Sequence, residues 1–362
     1  MTRDVIINGR PVGPGHPAYI IAEMSANHGQ DKGRAKEIIH AMKEAGADAV
    51  KLQTYTPDTM TLDCHNRFFV DCLKGTIWEG QSLYDLYGEA HTPWEWQAEL
   101  LELAEGLGLD GFSTAFDGTS VDFLETLGVP AYKVSSFELV HLPLIRRVAA
   151  TGKPLLLSTG MATLEEIAEA VDAAKDAGAR SIALLKCTSA YPAKAEDANV
   201  RTIPAMRERF GVPVGLSDHS PGSAVPVAAV TQDACIIEKH FVLDRGRDKG
   251  PDSAFSMEPR EFAAMVQDVR AAEEDPGTAK MDEKALGTVR YGPMEADKKS
   301  LVFRPSLFAV EDIPSGAPLT AQNVRIIRPG YGLPPRDLER ILGRSARKRI
   351  ERGTPLAWDL LE

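Results

Sequence analysis

The sequence lacks the features that mark secreted, membrane-spanning and zinc-binding proteins. Its four cysteines, Cys64, Cys72, Cys187 and Cys235, form no CxxC pair, so their spacing indicates neither a disulfide framework nor a zinc knuckle. The chain has no stretch of about 18 apolar residues that would span a membrane, and it does not open with a basic segment followed by an apolar run. We therefore expect a reduced, cytoplasmic protein with no membrane contact.

An excess of positive charge is also absent. The formal net charge is -11, so the surface as a whole is not expected to attract nucleic acid or anionic lipid. An anionic substrate then needs a local positive site. The length of 362 residues, of which 43% are hydrophobic, suits one large domain and one small domain, with a core that needs no disulfides.

Short apolar segments alternate with amphipathic helical patterns along most of the chain. The segments predicted as strands are Tyr19–Glu23, Ala49–Gln53, Leu109–Thr114, Ala131–Ser135, Pro154–Thr159, Ser181–Cys187, Pro213–Ser217 and Cys235–His240. Eight such units in about 270 residues predict a (β/α)8 TIM barrel, in which the chemistry lies at the carboxyl ends of the strands. A doubly wound open sheet is the alternative, but no GxGxxG follows the first strand, which disfavours its dinucleotide-binding version.

Three sections of the chain differ in composition and predict three parts. Residues 1–272 form the predicted barrel, residues 273–299 a charged linker, and residues 300–362 a small C-terminal domain. About sixty residues is marginal for independent stability, so we expect this domain to pack on something else. Within the barrel, residues 54–90 form an aromatic-rich insertion, which we interpret as an ordered lid or a partner contact.

The strongest local signal is a pair of histidines at the ends of the last two predicted strands. His219 follows one strand, and His240 ends the next. Side chains alternate along a strand, so Glu238 shares a face with His240 while Lys239 points the other way. Two imidazoles beside a carboxylate suit a divalent transition metal with open positions. Two hydrogen-bonded structural histidines are the alternative.

Lysines at strand ends are a second signal. Lys51 lies in the second predicted strand and Lys133 in the fourth, both near the carboxyl end, and hydroxyl side chains follow nearby. A lysine in a barrel mouth is costly to desolvate unless an anion compensates its charge, so this pattern predicts a phosphate or carboxylate site. For Lys186 and Lys239 we prefer snorkelling at the rim. Glu23, at the end of the first strand, is interpreted either as an acid, base or sugar ligand or as a structural residue.

Several motifs occur in order at the strand ends and in the tail. They are Ile21–Glu23, Lys51–Thr54, Ala131–Val134, Ser158–Met161, Cys187–Pro192, Gly215–His219, Glu238–Phe241 and, in the tail, Asn323–Arg328 with Pro329–Gly332. With these motifs the barrel resembles the sialic acid synthase family, and the tail resembles the antifreeze-like (SAF) domain of that family. Residues 23–28, 53–59, 78–87, 92–96 and 250–256 are most similar to its pseudaminic acid synthase branch.

The resemblance implies a specific reaction. Family members join phosphoenolpyruvate to the open-chain aldehyde of an acetamido sugar and release phosphate, which yields a nonulosonic acid. The pseudaminate branch implies 2,4-diacetamido-2,4,6-trideoxy-altropyranose as the sugar. The alternatives are an N-acetylneuraminate or legionaminate synthase with the same chemistry, another phosphoenolpyruvate aldol synthase on this barrel, and a non-catalytic coat-polysaccharide protein.

The resemblance also implies roles for individual residues. The residues implied to hold phosphoenolpyruvate are Lys51, Lys133, Ser136, Ser158, Ser189 and Ser217, although neuraminate synthases carry Asn at the position of Ser189. The implied ligands of Mn2+, with Mg2+ or Co2+ as substitutes, are His219 and His240, and the implied sugar contacts are Glu23, Gln53, Tyr191, Asp252 and Arg328. Glu23 and Glu238 are both candidates for handling the attacking water. In the family Arg328 serves the partner subunit, which implies a domain-swapped homodimer.

Overall fold

A short antiparallel hairpin precedes the main body of the protein. The structure, a computed structural model, describes residues 4–75, 78–248, 250–279 and 281–362. The hairpin consists of β1 (Val5–Ile7) and β2 (Arg10–Val12). Arg10 pairs with Asp48, which lies just before a barrel strand, so the hairpin covers the amino-terminal end of the barrel. The sequence analysis missed it because three-residue strands carry almost no periodicity.

Eight parallel strands form a closed barrel, as predicted. They are β3 (Tyr19–Glu23), β4 (Ala49–Thr54), β5 (Asp110–Ala115), β6 (Tyr132–Val134), β7 (Leu155–Ser158), β8 (Ile182–Cys187), β9 (Val214–Asp218) and β10 (Ile236–His240). Each predicted strand is confirmed to within one residue at either end. The barrel closes where β10 pairs with β3, which places His240 opposite Glu23.

The helices of this part of the chain surround the barrel and bury their apolar stripes against it, except for three that belong to the insertion over its mouth. They are α1 (Lys32–Glu44), α2 (Pro57–Met60), α3 (Arg67–Val70), α4 (Leu83–Ala90), α5 (Trp94–Gly106), α6 (Gly118–Thr126), α7 (Leu142–Ala149), α8 (Leu164–Asp176), α9 (Thr202–Phe210), α10 (Ala224–Val230) and α11 (Pro259–Glu274). Helix α8 begins at Thr163, whose side chain forms a capping box with Glu166. It ends before Gly178, which has φ +99°, a conformation that suits glycine. No helix in the described ranges is long and apolar enough to cross a membrane.

The insertion folds into helices α2, α3 and α4 over the mouth of the barrel. Its described residues, 54–75 and 78–90, contribute to an apolar cluster that includes Tyr55, Leu83 and Tyr87. Phe116, from the loop after β5, packs in the same cluster. The insertion is therefore attached to the barrel through a core of its own. Whether it acts as a lid stays a prediction.

The segment after α11 leads into the C-terminal domain without leaving the barrel surface. Ala285 is buried in the barrel core, and a 3-10 helix spans Glu295–Phe303. The C-terminal domain contains β11 (Ser306–Ala309), β12 (Val324–Ile327) and α12 (Leu338–Ile341) around its own core. It packs on the insertion, where the rings of Phe69 and Phe308 lie 5.2 Å apart. As expected, this small domain packs on another part of the protein.

Candidate active site

The carboxyl ends of the strands open into a cavity of about 1260 Å3. The strand ends, the insertion, the 3-10 helix before the C-terminal domain and Arg328 all contribute to its wall. Twelve of the predicted site residues line it, namely Lys51, Gln53, Lys133, Ser136, Ser158, Tyr191, Ser217, His219, Glu238, His240, Asp252 and Arg328. Glu23 and Ser189 are absent from the described residues that line the cavity, and both are fully buried beside it.

Two lysines and two glutamates form a charge cluster at the base of the cavity, which we define as Glu23, Lys51, Lys133 and Glu238. Lys133 Nζ donates to both carboxylate oxygens of Glu238, at 2.9 and 3.1 Å. Lys51 pairs with Glu23, and its Nζ lies 3.9 Å from Glu238 Oε2. All four side chains are at most 4% exposed. The formal charges of the two lysines balance those of the two glutamates. This balance makes the burial of all four side chains tolerable.

The protonation states in this cluster follow from burial and pairing. Burial lowers the pKa of Lys51 to about 7, although Glu238 acts in the opposite direction. Burial alone would raise the pKa of Glu238, but Lys133 and Lys51 outweigh it and hold that pKa at about 2. Ser217 Oγ also donates to Glu238, at 2.8 Å. Glu238 is therefore an ionised carboxylate at neutral pH, and Lys51 can change charge near neutrality.

Three serines and a glycine lie next to the charge cluster. Ser136 Oγ and Ser189 Oγ are 3.0 Å apart. Gly160 has φ +41°, and a Cβ at this position would clash with Ser136 and lie 2.6 Å from Ser189 Oγ, so only glycine fits. Ser158 Oγ is buried and has no hydrogen-bond partner within the described part of the chain. A buried hydroxyl without a partner is unfavourable, and a ligand oxygen in the cavity would satisfy it.

The histidine pair faces the same cavity. The imidazole centroids of His219 and His240 lie 5.3 Å apart. His219 Nδ1 donates to the carbonyl oxygen of Thr188 at 2.9 Å, which leaves its Nε2 with a free lone pair. Among the described residues, His240 Nδ1 is buried without a hydrogen-bond partner, and Asp252 Oδ2 is 3.9 Å from it. Burial lowers the pKa of His219 to about 4 and that of His240 well below its usual value.

Two neutral imidazoles with unused lone pairs fit a divalent metal. A backbone carbonyl that orients the far nitrogen of a ligating histidine is a common feature of metal sites, and Thr188 supplies one here. No group of three or more His, Cys, Asp or Glu side chains in the described ranges is arranged to hold a metal ion. A metal at this pair would therefore take its other ligands from water or substrate, as a Lewis-acid site requires.

Arg328 enters the cavity of its own chain. Its Nε and Nη2 donate to Glu138 Oε1 at 3.0 and 2.6 Å, and its Nη1 donates to Tyr87 Oη at 3.1 Å. The guanidinium carbon lies 4.7 Å from the centre of the Phe137 ring. The resemblance implied that Arg328 serves a partner subunit. In this chain its hydrogen-bond acceptors come from the same barrel and insertion, because β12 ends beside Thr61, whose Oγ1 donates to the Arg328 carbonyl.

The rim interpretation of Lys186 and Lys239 is wrong. Lys239 is 1% exposed and pairs with Asp218, at 2.8 Å, on the outer face of the barrel wall. Lys186 is 6% exposed, and its Nζ donates to the Cys187 carbonyl oxygen at 3.0 Å. Both side chains lie between strands and helices, where the stem of a lysine is too short to reach water, so internal acceptors replace solvent.

Sequence reasoning missed the acidic and aromatic partners of Arg328. Glu138 lies in a 3-10 turn, Glu138–Val140, after β6, and it is 2% exposed. Tyr87 comes from α4, while Phe116 and Phe137 come from loops after strands. The only available signal was an acidic residue a few positions after Lys133, at the carboxyl end of a strand.

Known proteins resemble this chain along nearly its whole length. The NeuB family model matches residues 38–281, and the SAF domain model matches residues 304–362. A pseudaminic acid synthase of Helicobacter pylori is 44% identical over 96% of this chain and 98% of its own length. One from Campylobacter jejuni is 42% identical over 93% and 95%. An N,N'-diacetyllegionaminic acid synthase of Legionella pneumophila is 36% identical over 98% of both chains.

A solved structure shares the whole architecture. The spore coat polysaccharide biosynthesis protein SpsE of Bacillus subtilis superimposes with a TM-score of 0.84, at 32% identity, over 98% of each chain. The match spans both the barrel and the C-terminal domain. Together with the two family models, it leads to one conclusion: the chain belongs to the NeuB family and ends in a SAF domain.

Proposed function

We propose that this protein is a phosphoenolpyruvate-dependent pseudaminic acid synthase. It condenses phosphoenolpyruvate with 2,4-diacetamido-2,4,6-trideoxy-altropyranose and gives a nonulosonic acid and phosphate. The observation that carries the chemistry is one cavity lined both by Lys51, Lys133 and Glu238 of the charge cluster and by the neutral His219–His240 pair. The choice of sugar is supported by the pseudaminic acid synthases, at 42 to 44% identity over nearly the full chain.

Phosphoenolpyruvate binds at the charge cluster. Lys51 and Lys133 donate hydrogen bonds to its phosphate and carboxylate, and the hydroxyl of Ser158 donates to one of its oxygens. Ser136 and Ser217 complete this part of the wall. Because each lysine is already paired with a glutamate, the bound anion shares the lysines with Glu23 and Glu238. The lysines keep the charge neutralised as phosphate leaves.

His219 and His240 would hold a divalent metal in the cavity where the aldehyde end of the sugar binds. Mn2+ is our choice, with Mg2+ or Co2+ as substitutes, because two imidazoles with open positions suit such ions. When bound, the ion supplies Lewis-acid polarisation of the aldehyde oxygen. Gln53, Tyr191, Asp252 and Arg328 line the cavity and contact the rest of the sugar.

The reaction forms a carbon–carbon bond and then breaks a carbon–oxygen bond. The vinyl carbon of phosphoenolpyruvate attacks the aldehyde carbon, and positive charge develops at C2. Water adds at C2 and gives up a proton, while the former aldehyde oxygen takes up a proton. The hemiketal phosphate then collapses with C–O cleavage to the 2-keto acid and phosphate. We assign the orientation of this water to Glu238, which lines the cavity as a carboxylate. Glu23 lies beneath Lys51 and accepts from the Ser25 backbone N–H at 2.7 Å, so its role is to hold Lys51 in place.

The decisive experiment measures phosphate release from phosphoenolpyruvate with Mn2+ and each candidate sugar. Turnover with 2,4-diacetamido-2,4,6-trideoxy-altrose alone supports the proposal. Turnover with N-acetylmannosamine or the legionaminate precursor alone keeps the family chemistry but rejects the pseudaminate assignment. The proposed metal site is rejected if His219→Ala and His240→Ala both keep full activity and Mn2+ affinity.

The assembly and location of the enzyme are part of the proposal. The family resemblance supports a homodimer that exchanges its C-terminal domains. In that homodimer the contacts that Arg328 makes here within its own chain, to Glu138 and Tyr87, are made between subunits. Light scattering that finds a monomer at working concentration would reject it. All four cysteines are free thiols, which supports a reducing, cytoplasmic location.

A further inference from the structure

We propose that Asp297 is a positioning residue for the phosphoenolpyruvate site, acting from the linker through Ser189 on Ser136. The inference rests on the proposed function, since its readout is the affinity for phosphoenolpyruvate. No motif in the sequence pointed to Asp297. It lies in the 3-10 helix Glu295–Phe303, immediately before the C-terminal domain.

Asp297 joins two segments that are far apart in the sequence. Its Oδ1 accepts from the backbone N–H of Ser189 at 2.9 Å, across 108 residues. Its Oδ2 accepts from the backbone N–H of Met294 at 3.0 Å and so caps its own helix. Asp297 is only 1% exposed. Because a buried carboxylate is costly unless its oxygens are bonded, this one fixes both N–H groups firmly.

A buried lysine lies near Asp297 on the outer face of the barrel wall. Lys186 lies nearby, buried under the same stretch of linker, and both residues line a small cavity of about 10 Å3. Burial lowers the pKa of Lys186, and the charge of Asp297 is one of those that oppose this shift. The aspartate therefore belongs to an electrostatic arrangement that a neutral capping residue would not reproduce.

Ser189 transmits this constraint to the cavity. Ser189 is fully buried and is absent from the described lining, whereas Ser136 is part of it. The two hydroxyl oxygens are 3.0 Å apart, and both serines pack against Gly160, where a Cβ would clash with Ser136 and lie 2.6 Å from Ser189 Oγ. Fixing the backbone of Ser189 therefore fixes the hydroxyl of Ser136. This arrangement gives Ser189 a supporting role instead of the direct contact that the resemblance implied.

The segment that carries Asp297 is also part of the cavity wall. Ala296, Ser300 and Phe303 line the cavity, and the chain continues from Phe303 into β11 within a few residues. The linker thus connects the C-terminal domain to the phosphoenolpyruvate site by a buried hydrogen bond as well as by the covalent chain. Ser136 is the residue through which this connection reaches substrate.

The test compares Asp297→Ala and Asp297→Asn with a matched control in steady-state kinetics. Asp282→Asn is the control, because Asp282 also caps a linker turn, through the Lys284 N–H, but has no bond to the barrel strand loops among the described residues. Asp297→Ala is expected to raise KM for phosphoenolpyruvate about tenfold, while kcat and KM for the sugar stay within about twofold. Asp297→Asn, which keeps one acceptor oxygen, is expected to raise KM for phosphoenolpyruvate about threefold.

A double mutant separates positioning from general support of the fold. If Asp297 acts through Ser136, then Asp297→Ala added to Ser136→Ala raises KM for phosphoenolpyruvate by less than about twofold further. Additive effects, an equal rise in KM for the sugar, or an unchanged KM would overturn the inference. If Asp297→Ala does not fold, the same comparison is made with Asp297→Asn. A wild-type enzyme that turns over normally beside unaffected variants rejects this inference alone, whereas a wild type with no turnover rejects the proposed function as well.

Discussion

The inner and outer faces of the barrel wall each bury lysines, and they use them differently. On the inner face Lys51 and Lys133 pair with glutamates and border a cavity of about 1260 Å3. On the outer face Lys239 pairs with Asp218 between strands and helices, with 0% and 4% side-chain exposure. Both lysines of the inner face have room for an anion beside their charge, whereas Lys239 does not line that cavity within the described ranges.

The comparison shows that burial of a charge does not by itself identify a binding site. A buried ion pair is tolerated wherever its geometry is good, and all three lysines meet that condition. What distinguishes Lys51 and Lys133 is the open volume next to the pair. Four predictions test this distinction, from the largest expected effect to the smallest.

Replacing an inner lysine is expected to abolish most activity. Lys133→Met removes a cation from the anion site and leaves Glu238 without its closest cation. We expect phosphate release to fall by about 10²- to 10³-fold, because the lost charge acts on the reacting groups. Lys153→Met is the control, since Lys153 pairs with Glu125 outside the barrel, and it is expected to stay near wild type. Near-normal activity of Lys133→Met would contradict the proposed site.

Replacing the outer lysine is expected to affect stability first. Lys239→Met leaves Asp218 buried without its cation, which is expected to lower the free energy of unfolding by about 3–5 kcal/mol. Urea unfolding measures this change. Lys239→Met paired with Asp218→Asn is expected to recover part of the loss. A single variant as stable as wild type would show that the outer pair is not structural.

The pH dependence of kcat/KM is expected to follow the protonation of Lys51 on the inner face. The Lys51 pKa of about 7 in the free enzyme means that Lys51 is charged below this pH and neutral above it. Since an anion binds the charged form, kcat/KM for phosphoenolpyruvate is expected to fall about tenfold per pH unit above about pH 7. In Lys51→Arg the charge persists, so this decline is expected to disappear from the range measured, although the overall rate falls. An identical decline in Lys51→Arg would assign it to another group.

The smallest effect is expected at the unpartnered serine. Ser158→Ala removes a hydroxyl that bonds to nothing among the described residues, so the free energy of unfolding is expected to change by less than about 0.5 kcal/mol. KM for phosphoenolpyruvate is expected to rise about threefold to tenfold. Ser217→Ala, which also loses a bond to Glu238, is expected to lower stability by about 1 kcal/mol. Calorimetry and kinetics on both variants check the contrast.

The sequence predicted the barrel well because its signals are local. Each strand is a short apolar run with polar boundaries, and the order of strands in a barrel then places His219 beside His240 without further information. Strand alternation also predicted that Lys239 faces away from Glu238. It did not predict burial of Lys239, because alternation assigns a face but does not say what packs over it.

Functional residues in irregular segments could not be predicted from the sequence. Glu138 and Asp297 lie in 3-10 turns, and neither turn has a period that would orient its side chains. Their partners, Arg328 and Ser189, are 190 and 108 residues away in the sequence. Only tertiary packing brings such groups together, and a single sequence carries no record of these pairs.

The pairing of β10 with β3 determines when the active site is completed during translation. Glu238 and His240 lie on the last barrel strand, which pairs with the first one, so that His240 is opposite Glu23. A nascent chain that has not yet released residue 240 from the ribosome contains Lys51 and Lys133 but not the carboxylate that offsets Lys133. Because such distant pairings form late and slowly, the charges of the site are expected to be balanced only in the final step of barrel closure, and incomplete translation products are expected to be inactive.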